Sequence, residues 1–203
     1  MLELSFRAPR PSGTSPLETA RAIVAGVPST SPESEVAKGQ ILDFIADHPD
    51  ALYRSCLAGH LTGSALVVDN ARERVLVMLH RKLGLWLQPG GHADGEGNLA
   101  AVALREAEEE TGVAELRVAD PPVDCDVHRI PARASEPEHL HLDVRYVVLA
   151  PADAEASGNH ESRALRWATL GQLDELAGDE SLRRLARVGL LAAQSLPVSG
   201  AGD

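Results

Sequence analysis

The chain has 203 residues and a formal charge of -11, from 30 acidic and 19 basic side chains, which argues against a general affinity for nucleic acid or anionic membranes. Its two cysteines form no disulfide framework and predict a reducing, cytoplasmic location. No apolar run approaches the length of a membrane span, and the N-terminus shows no signal-peptide pattern. The length is that of one domain with a small extension.

The first half of the chain predicts a helical lead-in followed by strands. About thirty residues rich in Pro, Ser, Thr and Ala indicate a loosely ordered or partly helical segment. A helical period then begins at Ser34 and ends before Pro49. The stretches "HLTGSALVVD" and "VLVMLHRK" predict two strands joined by a turn, and "LGLWLQ" predicts a strand that ends in the turn "PGG".

The second half predicts one well-capped helix among further strands. Asn98 is a suitable N-cap and Gly112 a suitable C′ residue for a helix over Leu99–Thr111. The remaining elements are predicted strands at Val123–Ile130, His139–Leu149 and Ala164–Trp167, and helices at Leu170–Leu176 and Ser181–Ala193. This order predicts an α+β fold in which helices cover a mixed sheet. We divide the chain into an N-terminal extension at 1–57, a main domain at 58–196 and a flexible tail at 197–203.

The predicted helix carries an unusual density of glutamates. Residues three and four apart share a helix face, so Glu106, Glu109 and Glu110 converge while Glu108 points elsewhere. Two like charges at ~4 Å repel by about 4 kcal/mol at an effective dielectric near 20. The helix therefore either presents a solvated acidic face or holds a hard divalent cation such as Mg²⁺ or Mn²⁺. The preceding strand and "PGGH" turn favour the cation.

The segment from the glycine turn to the end of this helix resembles the signature of the Nudix hydrolase family. Gly91 opens the motif, and "REAEEETGV" at 105–113 supplies its later positions in register. The resemblance extends from "GHLTGSALVVD" to "RWATLGQL" and does not cover the first fifty-odd residues. It implies a Nudix-type α/β/α sandwich with a mixed sheet and a glutamate-bearing catalytic helix.

The resemblance also implies an activity and a set of site residues. The activity is hydrolysis of a pyrophosphate bond, by metal-activated water, in a nucleoside diphosphate linked to another moiety. Arg105 would position Glu106, and Glu161 would act as a further metal ligand or as the general base, although an ordinary loop charge is an equally good interpretation of Glu161. The implied ligands of Mg²⁺ or Mn²⁺ are Gly90, through its carbonyl, Glu106, Glu109, Glu110 and Glu161.

One position departs from the family pattern. The first glutamate of the motif falls at Gly97 in this chain. Glu96 or Asp94 would substitute through a small loop shift, partnering Arg105. We therefore expect Gly97→Glu to be neutral or slightly stabilising.

Six further residues are candidates for substrate binding, because an anionic nucleotide-type substrate needs local positive charge and flat contact surfaces in an acidic protein. Trp86 is equally suited to the core, and the histidines to structural roles. The candidates are Arg81, Lys82, Trp86, His92, His141 and Arg145.

Two other functions compete with this interpretation. His139, His141 and Asp143 share a strand face and resemble the start of a binuclear zinc hydrolase motif, but Val144 stands where that motif has histidine. A catalytically weak ligand sensor of the Nudix fold is the alternative, and the intact glutamate set favours an enzyme. The N-terminal extension is compatible with a lid or with a dimerisation arm, so a homodimer is left open. The substrate is left open as well.

Overall fold

The computed structural model describes residues 2–6, 15–132, 137–176 and 179–196. Within these ranges the helices are α1 (Pro16–Ala25), α2 (Pro32–Asp47), α3 (Leu99–Thr111), α4 (Leu170–Glu175) and α5 (Glu180–Ala193). The strands are β1 (Gly59–Val68), β2 (Val75–His80), β3 (Trp86–Leu87), β4 (Gly90–His92), β5 (Arg117–Val118), β6 (Asp124–Ile130), β7 (His139–Leu149) and β8 (Ser162–Ala168). The predicted tail at 197–203 lies outside the described residues.

All eight strands belong to one mixed sheet centred on β1. β1 runs parallel to β7, from the pair Gly59↔Leu140 to the pair Val68↔Leu149, and antiparallel to β2 and β4. β2 also pairs with β3 and β8, and β7 pairs with β5 and β6. Within the predicted "LGLWLQ" strand only β3 is formed, paired with β2, and the predicted "PGG" turn leads directly into β4, which pairs with β1.

Two hydrophobic cores lie on opposite faces of the sheet. All ten residues of β1 are buried, and alternate side chains enter alternate cores: Leu61 packs with α1, α2 and α3, whereas Leu66 packs with α4 and α5. The predicted α/β/α sandwich is therefore confirmed. No described helix has both the length and the apolar character needed to cross a membrane.

The N-terminal helices pack against the sheet. Ile41 and Ile45 of α2 are buried in the same core as α3. Ser34 Oγ accepts a hydrogen bond of 3.0 Å from the Cys125 N–H, and Thr30 Oγ1 donates one of 3.0 Å to the Val123 carbonyl. These bonds attach the start of α2 to the start of β6.

Candidate active site

Helix α3 has the bounds that its capping residues predict. Asn98 accepts a hydrogen bond from the Ala101 N–H, and Gly112 ends the helix with a φ of 64°, a left-handed conformation that glycine adopts without strain. Val102 and Ala107 are fully buried in the core on the sheet. The helix is therefore fixed along its apolar side, which sets the position of the glutamates.

Glu110 is the buried member of the glutamate set. It is 6% exposed, and its Oε2 accepts a hydrogen bond of 3.0 Å from the Gly90 N–H at the start of β4. Burial, together with the negative charges of Glu106, Glu161 and Glu109, raises the pKa of Glu110 to about 8. The hydrogen bond from the Gly90 N–H acts in the opposite direction. The charges of the other three predicted carboxylates therefore all reach Glu110. Among the described residues, no three of these glutamates have carboxylate oxygens within 4.8 Å of one another.

Glycines at two positions let β4 approach α3 and β1 closely. A Cβ atom on Gly91 would lie 2.4 Å from the Glu106 carboxyl carbon, and a Cβ atom on Gly90 would lie 2.3 Å from Ser64 Oγ. Arg105 Nη2 donates to Glu106 Oε1 at 2.9 Å and to the His92 carbonyl at 3.1 Å. The arginine thus joins α3 to β4 and contacts the Glu106 carboxylate, the pair that the family resemblance implies.

Glu161 lies on a loop that is tied to the glutamate helix. Its N–H donates to Asn159 Oδ1 at 2.8 Å, and Asn159 Nδ2 donates to the Glu109 carbonyl at 3.1 Å. Arg81 holds the other side of the loop, because its side chain donates to the His160 and Ser162 carbonyls at 2.8 and 3.0 Å. The sequence analysis missed Asn159, for which proximity to Glu161 in the chain was the only signal.

The donor set is chemically suited to a divalent cation. Four carboxylates supply only oxygen ligands, the type that Mg²⁺ and Mn²⁺ prefer. The close approach at Gly91 places main-chain atoms beside Glu106. A cation there would stabilise the charged form of Glu110, whose pKa is raised first by burial and then by the neighbouring carboxylates.

Two of the six substrate-binding candidates are engaged in packing or ion pairs. Arg145 is 2% exposed and donates to Asp143 Oδ2 at 2.8 Å, and it also forms ion pairs with Asp124 and Asp126. Three carboxylates therefore already surround its guanidinium, and the structure does not place Arg145 beside the glutamate helix. Trp86 is half-buried and packs against the core under α4 and α5.

Arg81 and Lys82 lie on the turn after β2, next to the Glu161 loop. The Arg81 side chain is engaged by the loop carbonyls, and the Arg81 N–H donates to the Glu161 carbonyl at 2.8 Å. Lys82 is exposed. Arg81 is exposed as well, but its side chain is the one that holds the Glu161 loop.

His92 and His141 belong to a cluster of imidazoles. Their Nε2 atoms are 3.3 Å apart, and burial together with the neighbouring histidines lowers the pKa of His141 to about 2. His141 is therefore neutral and supplies no charge for a phosphate. Asp143, which the rival zinc motif requires, instead accepts hydrogen bonds of 2.8 Å from Thr62 Oγ1 and Ser64 Oγ. The complete cluster is His60, His92, His128, His139 and His141.

The structure contradicts the expectation for Gly97. A Cβ atom at this position would lie 2.1 Å from the Pro16 carbonyl oxygen, so the loop needs glycine where α1 begins. Asp94 pairs with Arg54 at 2.6 Å, and Glu96 accepts from the Asn98 N–H at 2.7 Å. Neither carboxylate forms the expected pair with Arg105; the N-terminal extension and the helix cap engage them.

The NUDIX domain family model matches residues 59–187. The fold is similar to a hydrolase of the NUDIX family from Clostridium perfringens, which is 25% identical, with a TM-score of 0.50 over 64% of this chain and 95% of that one. It is also similar to a C. elegans Ap4A hydrolase, at 17% identity and a TM-score of 0.53 over 66% of this chain and 96% of that one. A Nudix hydrolase from M. smegmatis gives 18% identity and a TM-score of 0.51 over 70% and 89% of the two chains. No curated protein sequence matches the chain significantly.

The fold, the glutamate helix and the family match together define the class of this protein. The chain belongs to the Nudix family and is a Nudix-type pyrophosphohydrolase.

Proposed function

We propose that this enzyme hydrolyses a pyrophosphate bond in a nucleoside diphosphate linked to another moiety, with Mg²⁺ or Mn²⁺ as cofactor. The observation that carries the proposal is the environment of Glu110. Its buried carboxyl group accepts a hydrogen bond from the Gly90 N–H and is affected by the charges of three further glutamates. Such a concentration of oxygen ligands suits a divalent cation that bridges an acidic protein and an anionic substrate.

The proposed ligands of the ion lie on β4 and α3. Glu106, Glu109 and Glu110 would hold the ion together with the Gly90 carbonyl. When bound, the ion would neutralise charge on the pyrophosphate and make a water molecule more acidic. Arg105 holds Glu106 in place through its bond of 2.9 Å, and the same arginine fixes β4 through the His92 carbonyl.

Glu161 is the proposed general base. It is exposed, so water reaches its carboxylate, and its charge acts on Glu110 across the site. The bonds from Asn159 and Arg81 hold its loop against α3 and β2. A carboxylate on a loop held in this way can accept the proton of the attacking water.

Lys82 is the proposed contact for a substrate phosphate. It is exposed on the turn that adjoins the Glu161 loop, and its neighbour Arg81 is engaged in holding that loop. A lysine supplies a mobile positive charge, which suits an anionic ligand that must enter and leave.

A hydrolysis screen tests the proposal. Nucleotide sugars, ADP-ribose, dinucleotides and oxidised nucleotides would be incubated with Mg²⁺ or Mn²⁺, and the phosphorylated products identified. We expect cleavage at a pyrophosphate bond that excess chelator abolishes and added Mg²⁺ restores. Turnover that persists in chelator would refute the metal requirement. Binding of these compounds without turnover would favour the alternative of a ligand sensor.

A further inference from the structure

Three strands of the sheet bring together histidines from distant parts of the sequence. His60 on β1 and His141 on β7 are paired residues of adjacent parallel strands. His92 on β4 pairs with Thr62, two residues after His60 on β1. The three side chains therefore project from the same sheet face, and the strand pairing fixes their spacing.

The distances suit a shared metal ion. One ring nitrogen from each of His60, His92 and His141 lies within 4.8 Å of the others. Two nitrogens bound at about 2.0–2.1 Å to a tetrahedral zinc ion lie roughly 3.3 Å apart. The Nε2 atoms of His92 and His141 are 3.3 Å apart, so these two ligands already have the required separation.

The surroundings of the triad differ chemically from the glutamate site. His60 is 1% exposed, and the rings of His139 and His128 pack beside His141 at 5.2 and 5.3 Å between centroids. Neutral imidazole nitrogens favour Zn²⁺ and its transition-metal neighbours, whereas Mg²⁺ prefers oxygen.

We propose that His60, His92 and His141 form a second metal site, which takes Zn²⁺ or a similar transition-metal ion. The site contains none of the glutamates. It shares His141 with the His139/His141/Asp143 motif considered in the sequence analysis but does not use Asp143, which is bonded to Thr62, Ser64 and Arg145.

The site has a structural role beside the catalytic centre. An ion held by the triad links β4 to β1 and β7. β4 also carries Gly90, which bonds Glu110, and the His92 carbonyl accepts from Arg105. Binding of the ion therefore stabilises the strand against which the glutamate helix is positioned.

Cobalt titration of untagged, metal-free protein tests the proposal. Co²⁺ would be added in the presence of excess Mg²⁺, which occupies oxygen sites, and the visible absorption of nitrogen-coordinated Co²⁺ would be recorded. We expect one equivalent to bind and Zn²⁺ to displace it. The Tm should rise by about 5 °C or more at Zn²⁺ concentrations near 100 times Kd.

Variants identify the ligands. His92→Gln and His141→Gln should each lose the Co²⁺ spectrum, whereas His128→Gln, in the same cluster but outside the triad, should keep it. Glu110→Gln should also keep it, which separates this site from the proposed catalytic one. Failure of the folded wild-type protein to bind Co²⁺ and Zn²⁺ would overturn the proposal, without depending on whether any variant folds. A spectrum that survives in both folded triad variants would overturn it as well.

Discussion

At the scale of single residues, Glu110 combines burial with the charges of three neighbouring glutamates. Burial and those charges raise its pKa to about 8 in the metal-free protein, whereas a glutamate in the unfolded chain titrates near 4.3. Between about pH 4.5 and pH 8 the folded state therefore retains a proton that the unfolded state has lost. The contribution of Glu110 to the stability of the folded state must therefore fall as the pH rises through this window.

The first prediction concerns this pH dependence. In excess chelator, the Tm of the wild-type protein should fall relative to that of Glu110→Gln as the pH is raised from about 5 to about 8, because only the wild type must ionise a buried carboxylate. Thermal melts of both proteins at each pH provide the measurement. Added Mg²⁺ should reduce the difference, since a bound cation favours the carboxylate form. A constant Tm difference would contradict the account.

The second prediction concerns Gly97. Gly97→Ala should destabilise the protein by about 1–3 kcal/mol, because the added Cβ atom would meet the Pro16 backbone at 2.1 Å. Gly39→Ala in α2 is the matched control, with no atom within 4 Å of the added carbon. The control should be neutral or stabilising by up to about 1 kcal/mol. Denaturant unfolding compares the two, and equal effects would show that α1 yields to the added carbon.

At the scale of elements, the loop from Asn159 to Glu161 and helix α3 meet through one side chain. Asn159 bonds both the Glu109 carbonyl and the Glu161 N–H, so it sets the distance between the proposed base and the glutamate set. Correct placement of a reacting group contributes strongly to rate, and a displacement near 1 Å can cost about 10²-fold.

The third prediction follows from this connection. Asn159→Ala should lower kcat by up to about 10²-fold while the free energy of unfolding changes by only about 1–2 kcal/mol. The control is Asn70→Ala in the turn between β1 and β2, at the opposite end of β2 from the Glu161 loop. It should leave kcat unchanged. Wild-type kcat in Asn159→Ala would mean that the loop needs no tether.

The elements also show what the sequence could predict. The bounds of α3 follow from local chemistry, since Asn98 and Gly112 cap it, and the predicted strand His139–Leu149 has the bounds of β7. The alternation in β7 correctly placed His141 and Arg145 on one face. It could not show what covers that face, because Asp124, Asp126 and α5 come from other parts of the chain. Arg145 was therefore predicted as a candidate for substrate binding and is instead surrounded by aspartates.

At the scale of the whole molecule, the N-terminal extension and the Nudix domain share a core. Ile41 of α2 is fully buried in the cluster that includes Val102 of α3 and Val144 of β7. The clash expected for a side chain at position 97 has the same origin, since α1 begins against the loop that precedes α3. Contacts between such distant segments leave no pattern in a single sequence, which is why the expectation for Gly97 was wrong.

The fourth prediction tests whether the extension and the domain unfold together, as we propose. Ile41→Ala should lower the free energy of unfolding by about 2–5 kcal/mol and keep a single transition, because it opens a cavity in a shared core. Val36→Ala on the same helix is the control: Val36 is 63% exposed, and its loss should change stability by less than about 0.5 kcal/mol. Two separate transitions, with only the first affected by Ile41→Ala, would indicate an independent extension.

We infer that the glutamate face of α3 carries out catalysis. The most direct measurement compares the Mg²⁺-dependent kcat of Glu110→Gln with that of Glu108→Gln, on a substrate found by the screen. Both variants replace one carboxyl group of the same helix with an amide. Glu110 is buried and accepts a hydrogen bond from the Gly90 N–H, whereas Glu108 is exposed and points away from the converging face. We predict that kcat falls by about 10²-fold or more in folded Glu110→Gln and stays near the wild-type value in Glu108→Gln. Near-normal turnover in Glu110→Gln, or an equal loss in both variants, would contradict the account.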